Sequence, residues 1–160
     1  MKKLYVLAFA TLALLAACKG NQENATVQEE TVTEIAEQQP AVQQLVKVLT
    51  EDQFILAVAD YTGDKSTYKG SKPCVIDFYA DWCGPCKRLS PLVEAMAEKY
   101  QDQVLFYKVD VDAAPDLAAA YGISSIPCLF FCANGKMTNT VGLLPEEMLE
   151  EQILKLLETK

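Results

Sequence analysis

At 160 residues the chain has room for one domain of ordinary size with short appendages, and its 51% apolar content makes a hydrophobic core feasible. Fourteen Lys and Arg against 22 Asp and Glu leave a formal charge of −8, which argues against a nucleic-acid partner, because displacing counterions needs a basic face. A count of zero histidines removes Ser-His and Cys-His nucleophiles, His-ligated metals and any imidazole switch, so six cysteines carry the chemistry.

Residues 1–17 read as a cleaved leader. Met1-Lys2-Lys3 is a basic head, and Leu4 to Ala17 is apolar except for Thr11. A membrane span needs about 20 apolar residues, so this run is too short to cross but suits the core of a signal peptide. It ends Leu15-Ala16-Ala17-Cys18, which resembles the cleavage box of bacterial lipoproteins. That resemblance implies lipidation of Cys18 as the new N-terminus, a stable lipid anchor, and an extracytoplasmic position on the periplasmic side of a cell-envelope membrane. The alternative is an ordinary secretory signal with an incidental cysteine. Residues 18–40 then form a Gln-rich, acidic tether in which Glu23, Glu29, Glu30, Glu34 and Glu37 face no cation after Lys19. Such a composition buries too little apolar surface to order itself. As a flexible coil it reaches about 25 Å. A weak helical pattern at Val32 to Gln39 lacks a sustained apolar stripe. Loss of Lys2 and Lys3 with the leader leaves 12 basic against 22 acidic residues, a charge of −10 that does not favour an anionic bilayer.

Residues 41–160 alternate between strand-like and helix-like stretches. A short strand is expected around Leu45 to Leu49. Thr50-Glu51-Asp52-Gln53 matches a capping box opening a helix to about Ala59. Tyr61 to Lys72 reads as a loop. Cys74 to Ala80, apolar apart from Asp77, has the look of a buried central strand. A helix follows from about Cys83 to Tyr100, with Pro91 predicting a kink. Val104 to Val109 is a strand, Pro115 to Tyr121 a short helix stopped by Gly122, and Cys128 to Cys132 another strand. Asn134-Gly135 marks a hairpin turn into an edge strand at Met137 to Val141. Pro145 opens a last helix whose apolar face is assigned to Met148, Leu149, Ile153, Leu156 and Leu157. The order βαβαβαββα specifies an α/β domain with a mixed sheet.

Trp82-Cys83-Gly84-Pro85-Cys86 lies where strand gives way to helix. A thiol at a helix N-terminus meets free amides and the positive end of the helix dipole, both of which favour thiolate. Cys83 is therefore the nucleophile. Cys86, one turn on, closes a disulfide with it or resolves a mixed disulfide. Lys87 and Arg88 add modest positive charge.

Here the chain resembles the thioredoxin family. Asp77-Phe78-Tyr79-Ala80-Asp81-Trp82-Cys83-Gly84-Pro85-Cys86-Lys87 is similar to the family's active-site strand and loop. Lys108-Val109-Asp110-Val111-Asp112 resembles the end of its next strand, and Tyr121-Gly122-Ile123 through Ile126-Pro127 the approach to its second active-site loop. Cys86 and Pro127 are 41 positions apart, as in compact members without large helical insertions. The resemblance implies a thioredoxin fold with a mixed five-stranded central sheet flanked by helices, and a redox-active Cys83–Cys86 disulfide. It implies that Pro127 is a cis-proline beside that disulfide, freeing the Ile126 backbone to pair with an extended substrate. Asp77 becomes a buried carboxylate that accepts the Cys86 proton, with Lys108 as its internal partner. Trp82, Gly84, Pro85 and Gly142 become parts of the docking surface around the disulfide.

The rival reading of CxxC is half of a zinc site completed by Cys128 and Cys132. Against it, residues four apart on a strand are separated by about 13 Å. Cys74, Cys128 and Cys132 depart from the family pattern and read first as buried thiols acting as small apolar residues. Cys74 begins one strand and Cys132 ends an antiparallel neighbour, so a cross-strand disulfide is a second reading.

Taken together, these features predict a thiol–disulfide oxidoreductase reducing disulfides of extracytoplasmic client proteins. Gly84-Pro85 between the cysteines resembles the reducing members. No cofactor or metal is expected, and electrons come from a membrane-embedded donor. The alternatives are an oxidase or isomerase using the same site, or a non-catalytic peptide-binding module.

Overall fold

A computed structural model describes residues 44–63 and 67–159. The leader, the lipidation site Cys18, the tether and the helical pattern at 32–39 lie outside the described residues. The elements are β1 (Val46–Val48), α1 (Glu51–Ala57), β2 (Cys74–Tyr79), α2 (Gly84–Tyr100), β3 (Leu105–Asp110), α3 (Pro115–Ala120), β4 (Cys128–Ala133), β5 (Lys136–Val141) and α4 (Glu146–Glu158). The five strands form one sheet in the order β1-β3-β2-β4-β5. β1 and β2 run parallel to β3, whereas β4 is antiparallel to both β2 and β5. The mixed, five-stranded architecture is the one the sequence predicts.

Strand alternation divides the core into two layers. On one face Val75, Phe106, Leu129 and Phe131 pack with Leu89, Val93 and Met96 of α2 and Leu149 and Ile153 of α4. On the other, Cys74, Ile76, Phe78, Cys128, Phe130 and Cys132 pack with Phe54 of α1 and Leu117 of α3. Phe78 meets Phe130 edge-on at 5.2 Å, and Tyr121 bridges Phe54 and Phe130 at 5.5 Å each. Offset and edge-on contacts of this kind are the favoured aromatic geometry.

The helix ends follow local chemistry. The Thr50 hydroxyl accepts from the Gln53 amide at 3.3 Å, and the Thr50 amide donates to the Gln53 side chain at 3.0 Å, completing the expected capping box. α1 ends at Ala57, two residues before the expected boundary. Helix α3 has no side-chain cap of its own. The Glu51 carboxylate takes the Leu117 amide at 3.2 Å instead, while also accepting from the Tyr61 hydroxyl. Asn134 and Gly135 both have positive φ, 49° and 77°, as the tight β4–β5 hairpin requires. α2 continues through Pro91 as one element.

One assignment is corrected. In α4 Leu149, Ile153 and Leu156 are buried and Leu157 packs beside them, but Met148 is 48% exposed. It sits about 100° around the helix from Leu149, off the buried stripe.

Candidate active site

The C-terminal end of β2 delivers the chain into a turn that closes on α2. Cys83 is the N-cap of that helix, with extended backbone, and its sulfur accepts the Cys86 amide at 3.1 Å. Pro85 falls in the first turn, where its missing N–H costs nothing. A Cβ on Gly84 would meet no atom within 4 Å, so the space beside the cysteines is open at that point. Cys83 and Cys86 are joined in a disulfide, with Cα atoms 5.3 Å apart, and the pair is nearly fully buried against Ala80, Tyr79, Val111 and Ile126. The sequence-predicted pairing is thus present.

Ile126–Pro127 is cis, as expected. The β2–β4 ladder stops at the Phe78–Cys128 pair, so Ile126 lies beyond it. Among the described residues Ile126 makes no main-chain hydrogen bond. Its neighbour Pro127 instead accepts the Gly142 amide at 2.8 Å through its carbonyl, and Gly142 takes φ +100° to present that amide. A groove of about 360 Å³ runs between the two loops, lined by Trp82, Val111, Ile123, Ser124, Ser125 and Ile126. Trp82 is 70% exposed, and Val141 and Leu143 flank Gly142 with exposed side chains. An apolar rim around a concave, hydrogen-bonding floor suits an extended peptide.

Asp77 is the one fully buried charged side chain among the described residues, and neither carboxylate oxygen has a hydrogen-bond partner. Burial pushes its pKa up to about 6, and the Lys108 charge pulls only partly against that. A buried acid poised near neutrality, on the strand that leads to the cysteines, is equipped to take and return a proton.

Lys108 stands beside Asp77 in the β2–β3 register, which agrees with the expected pairing of the two positions. Its ammonium, however, does not form an ion pair there. Nζ donates to Ser90 Oγ of α2 at 2.8 Å and lies 4.4 Å from the centre of the Tyr79 ring. Lys108 is therefore a nearby charge for Asp77 rather than its hydrogen-bond partner. Ser90 and Tyr79 hold it, and sequence reasoning assigned neither a role. Asp112 was also missed: its carboxylate accepts the Trp82 indole N–H at 2.7 Å and fixes that ring at the rim. Asp112 lies within a motif already singled out, whereas nothing in the sequence marks Ser90.

The remaining thiols among the described residues, Cys74, Cys128 and Cys132, are free and buried. Cys128 directly follows Pro127, but its thiol is turned into the α1–α3 side of the core, where the Asn139 side-chain amide approaches it at 3.7 Å. Burial pushes its pKa up.

Comparison with known proteins places this geometry. The family model described as Thioredoxin matches residues 45–155. Over 107 residues the chain is 45% identical to a thioredoxin of Borreliella burgdorferi, an alignment covering 66% of this chain and 92% of that one. It is 40% identical over 100 residues to thioredoxin 1 of Synechococcus elongatus, covering 62% and 94%. Among solved structures, the thioredoxin of Malassezia sympodialis is similar with a TM-score of 0.57 and 34% identity, covering 69% of this chain and 90% of that one.

Proposed function

The chain belongs to the thioredoxin family, whose members are protein-disulfide reductases, and from that premise we propose that it reduces disulfides of client proteins outside the cytoplasm while held to a membrane by lipid on Cys18. Thiol–disulfide exchange at Cys83 and Cys86 is its chemistry. The observation that carries the reading is the Cys83–Cys86 disulfide at a helix N-terminus, beside the groove at Ile126 and just beyond the strand that carries a buried, unpartnered carboxylate.

In the reduced enzyme the Cys83 thiolate, favoured by the N-terminus of α2, attacks one sulfur of a client disulfide. That S–S bond breaks, a mixed disulfide forms, and the first client thiolate leaves and takes a proton. Cys86 then gives its proton to Asp77 and attacks the Cys83 sulfur. The second client thiolate departs and takes the proton from Asp77, and the Cys83–Cys86 disulfide remains. Two electrons and two protons have passed to the client. The groove supports the client as an extended strand, with the Ile126 backbone as its pairing partner. A membrane-embedded dithiol donor restores the reduced pair.

The leader and the Cys18 box support the location, and Gly84-Pro85 supports the reducing direction. Cys86→Ser tests the chemistry: it should leave clients covalently attached to Cys83, released by dithiothreitol. Failure to capture any client, with a wild type that reduces no protein disulfide, would return the site to peptide binding alone. Cys18→Ala should move the protein from membrane to soluble fractions. Fluorescence of Trp82, the single tryptophan, reports the potential through thiol/disulfide buffers. A strongly reducing value supports the reductase, and a markedly oxidising one makes the protein a disulfide donor or isomerase.

A further inference from the structure

On the α1–α3 side of the sheet, two thiols that the catalytic cycle does not use meet across a strand pair. Cys74 opens β2, Cys132 lies near the end of β4, and the antiparallel register sets them directly opposite each other. Both are free and have no solvent exposure. Both side chains lie in the same core cluster. Directly opposed residues hold their Cβ atoms about 4.5–5.5 Å apart. A disulfide takes Cα separations of about 4.4–6.8 Å and Cβ separations of about 3.5–4.5 Å. Closure therefore needs the two Cβ atoms to approach by about 1 Å, with no change of register. Cys128 offers no such geometry, because its partner across β2 is Phe78.

We propose that Cys74 and Cys132 form a second, structural disulfide when the chain folds in the presence of a low-molecular-weight disulfide. The Cys74 thiolate attacks one sulfur of the small disulfide, whose S–S bond breaks and releases one small thiol. Cys132 then loses its proton, attacks the Cys74 sulfur and releases the second small thiol. The dithiol gives up two electrons and two protons, and the small disulfide becomes two thiols. The contact between the sulfurs is asymmetric in the sense this order requires. The neighbouring Cys132 thiol pulls the Cys74 thiol below its ordinary value, and Cys74 together with burial pushes Cys132 up.

The timing follows from burial. Once folded, both sulfurs lie inside a core cluster that includes Tyr68, so exchange belongs to the stage when β2 and β4 come together. The bond would tie the two strands at the end of their ladder away from Pro127, across a span of 58 positions.

The test uses the full chain, reduced and denatured, then refolded in mixed reduced and oxidised glutathione. Free thiols are blocked with N-ethylmaleimide in denaturant, and the protein is digested with trypsin without reductant. The expected product joins the peptide 70–87, which carries Cys74 together with the Cys83–Cys86 pair, to the peptide 109–136, which carries Cys128 and Cys132. The link should persist in Cys128→Ala and in the double variant Cys83→Ser/Cys86→Ser, and vanish in Cys74→Ala and in Cys132→Ala. Should Cys132→Ala fail to fold, fragmentation of the wild-type linked peptide identifies the bonded sulfur. Complete maleimide modification of Cys74 and Cys132 in the refolded wild type overturns the proposal, as does a link through Cys128.

Discussion

Replacing Asp77 with Asn should stabilise the protein, and the gain should depend on pH in a defined direction. The carboxyl ionises with a pKa of about 6 in the fold against 3.8 as its ordinary value. A raised acid pKa means that the folded state holds the proton over a range where the unfolded chain has released it. Stability therefore falls as pH rises from about 3.8 to about 6, and the full cost persists above that. A difference of about 2 pKa units corresponds to about 3 kcal/mol. The group has no solvent exposure and no hydrogen-bond partner, so screening by water does not diminish it. Asn keeps the shape and cannot ionise. With a urea slope of about 2 kcal/mol/M, the midpoint of Asp77→Asn should lie about 1.5 M above wild type at pH 8, with the slope unchanged. At pH 3.5 the two midpoints should nearly coincide. Urea titrations of both proteins in the disulfide form, from pH 3.5 to 8, measure this without interference from the catalytic thiols. A stability difference that is flat with pH, or that shrinks as pH rises, would refute the assignment of a desolvated, ionised Asp77. The same variant should slow attack by Cys86, because the proton acceptor is gone.

Lys108→Met removes the charge that pulls against burial, so the Asp77 pKa should rise above about 6; carboxyl carbon NMR titration reads this directly, and a fall would contradict it. Phe54→Ala empties a fully buried site between Phe78 and Tyr121 and should cost about 3–5 kcal/mol in denaturant unfolding. Thr50→Ala removes the hydroxyl that accepts the Gln53 amide in the capping box and should cost about 1 kcal/mol by the same measurement, while Thr50→Ser should retain most of it.

Much of this molecule is legible in its sequence because the signals are local. The capping box at Thr50, the Asn134-Gly135 turn and the apolar run of β2 each name their structure within a few residues. The cysteine pair, Pro127 and Asp77 were legible for a different reason: together they resemble one family's motifs at that family's spacing. What stayed hidden depends on long side chains choosing among partners brought near by the fold. Lys108 carries a flexible stem, and whether its ammonium reaches Asp77 or Ser90 is decided by where α2 crosses the sheet. Asp112 acquires its indole partner only when the loop after β3 closes beside Trp82. Met148 failed for a simpler reason: an apolar residue beside a buried stripe fits the periodicity without being covered.

The two margins of the sheet bear on how the protein survives at high concentration. An open strand edge is a template on which another molecule's strand can grow. β1, at one margin, has only three residues, and β5, at the other, exposes Lys136, Thr138 and Asn139, with Val141 its one exposed apolar residue. Brevity on one side and polarity on the other discourage copies from stacking into filaments. The place left receptive to a foreign strand is the short, unpaired backbone at Ile126. Among the described residues, receptiveness to a disulfide-bearing strand is thus concentrated in one short stretch beside the sulfurs that carry out the exchange.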